Sequence, residues 1–91
     1  MEPLTIEGDI DMVTVNDVLA ELLRQLRSRE LADGEAIEID CSRVTYVGSH
    51  ALRMFGQFRG TAHRHVVLVG LPRPLRRPFE ISGLDQLFEL R

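Results

Sequence analysis

Ile39-Asp40-Cys41-Ser42-Arg43-Val44-Thr45-Tyr46-Val47-Gly48-Ser49-His50-Ala51-Leu52 is the stretch on which the reading of the fold turns. Ala36, Ile37 and Ile39 enter it as a strand that ends at Asp40. Val44 to Val47 is a further short apolar run, and Gly48-Ser49 then opens a helix. In that helix Ala51, Met54, Phe55, Phe58 and Ala62 share one face, with Gly56 and Gly60 as weak points. Downstream, Val66-Val67-Leu68-Val69 is a continuous run of β-formers bounded by Gly70 and Pro72, as expected of a parallel strand buried on both faces. Leu75, Phe79 and Ile81 then fit one side of a short helix, with Pro74 near its start, Pro78 limiting its regularity and Ser82-Gly83 at its end. Leu84, Leu87, Phe88 and Leu90 read as a turn leading into a short strand.

Upstream, Leu4-Thr5-Ile6 alternates as a short strand that stops at Gly8. Thr14 with Asp17 three residues on has the spacing of a capping box. Val15, Val18, Leu19, Leu22, Leu23 and Leu26 then form one helical face, and Asp33-Gly34 closes the connection. The order is β-α-β-α-β-α-(β), which predicts an α/β domain with a largely parallel sheet and right-handed crossovers. Residues 1–91 read as one domain, with no linker between parts.

The composition narrows the function. The chain is 44% hydrophobic and 27% charged but only 5% aromatic, without Trp, so Leu, Val and Ile must fill a small core. Net charge is −3, with 14 acids against 11 basic residues, all of them Arg, and this argues against a nucleic-acid binder. The start, Met1-Glu2-Pro3-Leu4, lacks the basic flank of a signal peptide, and the longest apolar run, Val66 to Val69, is far too short to span a bilayer. A reducing cytoplasm is the expected compartment. The lone Cys41 has no internal disulfide partner and no basic neighbour to activate it, and it reads as a small semi-buried residue.

Catalytic signatures are missing. There is no G-x-G-x-x-G after the first strand, no Walker loop in a chain without Lys, and no G-x-S-x-G elbow. Ser49 and His50 are adjacent, and neighbours in sequence do not face each other on a helix. His63 and His65 lack a third ligand at fitting spacing and read as exposed. The expectation is a protein that is not an enzyme and needs neither metal nor cofactor.

The stretch from Ile39 to Leu52 resembles the central signature of STAS domains, roughly strand-Asp-Leu-Ser-x-Val-x-Phe-Ile-Asp-Ser-Ser-Gly-Leu. Gly8-Asp9-Ile10-Asp11 resembles that family's Gly-x-Leu-Asp before the first helix, and Ser82-Gly83-Leu84-Asp85-Gln86-Leu87-Phe88 its closing Gly-Leu-Asp-x-Leu-Phe. The three pieces span nearly the whole chain in the family's order. The resemblance implies a STAS-type α/β fold with a mixed, mostly parallel sheet, and the work of a bacterial anti-sigma factor antagonist. The implied partner is an anti-sigma factor of the GHKL ATPase and serine-kinase type, and the implied partner-binding residues are Asp11, Gly48, Ser49, His50 and Arg53.

The departures carry as much information. In phosphorylatable members the motif is Asp-Ser-Ser/Thr-Gly and the second hydroxyl takes the phosphate. Here Gly48 stands at the acid, Ser49 at the first serine, His50 at the target and Ala51 at the glycine. A phosphate at such a helix start would add roughly −1.5 to −2 charges to the docking surface, but His50 cannot accept a serine-kinase phosphoester. Ser49 is a substitute target, although helix N-cap is its plainer role, and Asp11 is equally suited to a turn before its helix. The family usually opens with a further strand before Leu4 and closes with a helix beyond Phe88. A second reading therefore makes the chain the STAS portion of a larger regulator that serves signal relay, or homo-oligomerisation through an unpaired edge at Leu4 to Ile6.

Overall fold

The computed structural model describes residues 2–91. Strands β1 (Leu4–Ile10), β2 (Ile37–Val47), β3 (Val66–Val69) and β4 (Glu89–Leu90) alternate with helices α1 (Val15–Arg27), α2 (Ser49–Ala62) and α3 (Arg73–Ser82). A 3-10 turn at Leu84–Gln86 leads into β4. The strands form one sheet in the order β1-β2-β3-β4. Every pairing is parallel, so the expected mixed sheet is not found among the described residues. Each connection between parallel neighbours needs a crossover, and the three helices supply them.

The helices touch in succession, α1 on α2 and α2 on α3, and make a single layer over one face of the sheet. Leu4, Ile6 and Ile10 of β1 point into that layer, whereas Thr5, Glu7 and Asp9 between them are exposed on the other side. The run Val66-Val67-Leu68 is buried throughout, as its unbroken apolar sequence predicts.

β2 is longer than its sequence suggests. The spacing predicts a strand ending at Asp40 and a separate run from Val44, but one strand of 11 residues covers both. The reason is a broken alternation. After Cys41 the buried residues fall at Val44 and Val47, every third position, with Ser42-Arg43 and Thr45-Tyr46 exposed between them. The register accounts for this, since six steps from Leu4 to Ile10 in β1 oppose eight from Ile39 to Val47 in β2. Two β-bulges absorb the surplus residues, and the second turns Tyr46 outward near the end of the strand. β1 likewise continues past Gly8, which bends at φ 81° where a side chain would be strained, and runs on to Ile10.

Core contacts follow the predicted helical faces. Val15, Val18, Leu19, Leu23 and Leu26 pack against the core around a fully buried Leu22. On α2, Ala51, Met54, Phe55 and Phe58 are buried. α3 places Phe79 inside with Leu75 beside it, but Ile81 points away and is 74% exposed, so it does not belong to the inner face. Phe55, Phe79 and Phe88 meet in a three-ring cluster with centroids 5.7, 6.3 and 6.2 Å apart, joining α2, α3 and the segment before β4. Gly83 ends α3 in the left-handed conformation at φ 81°.

Candidate functional site

The parallel sheet sends the ends of β1 and β2 to the same pole. Cα pairing of Ile10 with Val47 brings the loop after β1 beside the start of α2. Asp11, Met12, Val13 and Thr14 therefore lie next to Gly48, Ser49 and His50, while Arg53 follows His50 by three residues, one helical turn along the same side. Ser49, His50 and Arg53 are exposed, and Asp11 and Gly48 are half-buried. The five residues expected from sequence thus share one end of the molecule.

Asp11 builds the turn at this pole. Its Oδ1 accepts the backbone N–H groups of Val13 at 2.9 Å and Thr14 at 3.0 Å. In return the Thr14 hydroxyl accepts the Asp11 N–H at 3.0 Å and donates to the Asp9 carbonyl at 2.6 Å. Thr14 makes no side-chain cap to α1. The box that the spacing predicts at Thr14 and Asp17 forms instead between Asp11 and Thr14, because Thr14 is the residue that can reach back to Asp11. The Thr14 N–H bond, ahead of the other bonds within the turn, holds the Asp11 carboxyl below its ordinary value of 3.8. The ionised form is the one that the fold favours, so its stabilisation is complete above pH 3.8 and is lost as pH falls through the depressed value. Asp11→Ala is expected to lower the melting temperature by a few degrees at pH 7. The gap between variant and wild type should close on titration below pH 3.8, as thermal melts would show.

Gly48, not Ser49, caps α2. It is extended at φ −111° and ψ −171°, and its carbonyl accepts the N–H groups of Ala51 and Leu52. Ser49 is the first helical residue and no side-chain cap bond forms, so its predicted capping role is not seen. The Tyr46 ring lies over the Gly48 Cα. A Cβ at Gly48 would meet the Tyr46 hydroxyl oxygen at 3.0 Å and ring carbon Cε2 at 3.1 Å. The position that resemblance assigns to an acid is thus covered by a half-exposed aromatic ring. Gly48→Ala is expected to cost about 1 kcal/mol or less, because the ring can swing into solvent. With one Tyr and no Trp in the chain, the displacement should register as a change in intrinsic fluorescence; unchanged emission would mean that the ring does not cover this glycine.

Sequence reasoning misses the most exposed apolar groups of the pole. Met12 is 70%, Val13 80% and Tyr46 50% exposed; Tyr46 lies against Gly48, and Met12 and Val13 are in the turn that follows Ile10, the Cα partner of Val47. Met12 and Val13 lie in a turn outside any periodic pattern, and Tyr46 turns out only because of the bulge in β2. Beneath them the Thr45 hydroxyl donates to Asp9 Oδ1 at 2.5 Å and ties the two strand ends together.

The other candidates separate from this pole. Cys41 is fully buried, and burial first, then the charge of Asp40, pushes its thiol up to about 12, so it stays protonated. Asp40 turns its carboxylate on the Ser42 N–H at 2.9 Å, a structural bond that lowers its pKa. His63 and His65 are exposed, as expected. His63 closes α2 at φ 53°, and His65 Nε2 lies 3.3 Å from Glu89 Oε1.

A parallel sheet of four strands crossed over by three helices defines a small α/β domain, with exposed groups at the start of its second helix. The chain belongs to the STAS family: residues 2–90 match the family described as "Mlab, STAS domain". It is 33% identical over 89 residues to the anti-sigma-B factor antagonist of Listeria monocytogenes serovar 1/2a, covering 94% of this chain and 75% of that protein. The anti-sigma-B factor antagonist of Listeria innocua serovar 6a is similar to the same extent, 33% identical with the same coverage. Among the described residues no helix is long and apolar enough to cross a membrane.

Proposed function

We propose that residues 1–91 act as one STAS unit in the bacterial cytoplasm, an anti-sigma factor antagonist that binds its partner without catalysing a reaction. The partner is an anti-sigma factor of the GHKL ATPase and serine-kinase type. Docking uses the pole of Asp11, Gly48, Ser49, His50 and Arg53, with Met12, Val13 and Tyr46 as its apolar contacts. The exposure of those three large side chains around the start of α2 is the observation that carries this reading, since solvent-facing apolar groups clustered beside polar ones suit a protein interface.

Binding is constitutive in this reading. His50 takes the place where the resemblance expects a phosphoacceptor, and Gly48 lies under Tyr46 where it expects an acid. Control then falls to the partner's nucleotide state or to the amounts of the two proteins. Ser49 is exposed on the first turn of α2 and is the residue to watch for phosphate.

Native mass spectrometry of the chain mixed with an anti-sigma factor of the GHKL ATPase and kinase type, with and without Mg-ATP, tests both parts. The expected result is a complex that persists in ATP with no mass added. Phosphate on Ser49 with release of the partner would overturn constitutive binding, and no complex in either condition would overturn the docking reading. His50→Ala is expected to weaken the complex roughly tenfold, as truncating a contact of intermediate worth does, while leaving the melting temperature unchanged. Equal affinity by titration calorimetry would remove His50 from the interface.

A further inference from the structure

Gln25 is a buried polar side chain, 9% exposed, beside the fully buried Leu22 on α1. Its Nε2 donates one bond within α1, to Glu21 Oε1 at 3.2 Å, and the rest of the amide reaches out of the helix. Oε1 accepts the Thr5 backbone N–H at 2.8 Å, and Nε2 donates to the Thr5 carbonyl at 2.9 Å. β1 is an edge strand whose sole neighbour among the described residues is β2. The N–H and C=O of Thr5 therefore face outward, and a primary amide, the chemical equivalent of a peptide unit, has taken the place of one unit of a further strand. Four residues on, the Asp9 carbonyl is met by the Thr14 hydroxyl in the same manner.

Between these two closures runs a groove of about 710 Å³, bounded by β1, the near side of α1 and the exposed side of β2. Its charged lining is one-sided, with Glu7, Asp9, Asp17, Glu21 and Asp40 against Arg43. Glu7 is 3.9 Å from Arg43, and Glu21 is held at about 2 by its bonds from Arg24 first and Gln25 second. A visitor thus meets charge chiefly from Asp9, Asp17 and Asp40. The groove reaches the pole at Asp9 and Thr14, but its lining includes none of Met12, Val13, Tyr46, Ser49 and His50.

We propose that the β1 edge is a second docking surface, which takes an extended cationic segment of a partner protein as an added strand. The segment lines its backbone along β1 from Thr5 to Asp9, displaces the Gln25 amide from Thr5, and sets its basic side chains against the groove carboxylates. Charge selects this occupant over a second copy of the chain. A second β1 would bring its own Glu7 and Asp9 to the edge, and like charges opposed across strands are destabilising. Gln25 acts as the guard, satisfying the edge until a better-matched chain arrives.

The test is a pair of acetylated heptapeptides, one alternating Arg with Val and one alternating Glu with Val, titrated into the ¹⁵N-labelled full chain. The expected result is that only the Arg peptide shifts the backbone amides of Thr5, Glu7 and Asp9 and the side-chain amide of Gln25, leaving Ser49 and His50 still. Its affinity should fall with added salt. Gln25→Leu, which removes the amide at similar volume, should bind the Arg peptide roughly fivefold more tightly, the effect of one hydrogen bond that no longer has to be displaced. Should that variant fold poorly, Asp17→Arg, an exposed change, should weaken the wild-type interaction severalfold. Absence of shifts along β1, or equal shifts with the Glu peptide, overturns the proposal. So does self-association of Gln25→Leu without peptide in light scattering, which would make a second copy the occupant.

Discussion

Phe55→Ala is expected to destabilise the domain by about 3–5 kcal/mol, the usual cost of emptying an aromatic position in a packed core. The size follows from where the ring sits. Phe55 is fully buried and touches both Phe79 and Phe88, so its removal frees α2, α3 and the approach to β4 together. A domain of this length has only about 5–15 kcal/mol of stability to begin with, so the variant should be largely unfolded or close to it near 37 °C. Chemical denaturation is the measurement: the midpoint should drop steeply while the slope stays the same. A loss under 1 kcal/mol would mean that the three-ring cluster does not hold the helices together. Phe58→Ala, also fully buried but outside the cluster, is the comparison that separates ring contacts from burial.

Charging the apolar rim should have the larger effect on binding. Met12→Glu combined with Val13→Glu is expected to lower affinity for the proposed anti-sigma partner by at least about 100-fold, since carboxylates would have to be desolvated where the proposed interface has apolar groups. Stability should change little. Both side chains already face water, and the hydrogen bonds that shape the turn come from Asp11 and Thr14 and from the backbone of Val13, not from its side chain. Tyr46 fluorescence offers a direct titration signal, because it is the chain's one Tyr and borders the same rim. A double variant that binds as well as wild type would place the interface elsewhere on the molecule. Loss of binding with an intact melting curve separates docking from folding.

The sequence by itself determined the order of elements, the inward faces of α1 and α2, that of α3 with the exception of Ile81, and the buried run at Val66 to Leu68. Those features rest on local periodicity, which a chain displays before it folds: every third or fourth residue for a helix, continuous apolarity for a strand covered on both sides. The resemblance at Gly8–Asp11, Ile39–Leu52 and Ser82–Phe88 also led to the family, and to the pole where Asp11, Gly48, Ser49, His50 and Arg53 lie. What only the tertiary structure decided depends on pairing between segments far apart. The length of β2 is one case, because a three-residue spacing is readable as a strand only against a β1 that is two residues shorter over the same span. The outward turn of Tyr46 follows from that mismatch, and with it the cover over Gly48. The reversed capping box is a local exception: Asp11 and Thr14 are only three residues apart, but the spacing alone does not tell Asp11 from Asp17 as the partner of Thr14. Gln25 reads in sequence as a polar interruption among leucines; only the approach of Thr5, 20 residues away, makes its amide the closure of the sheet's edge.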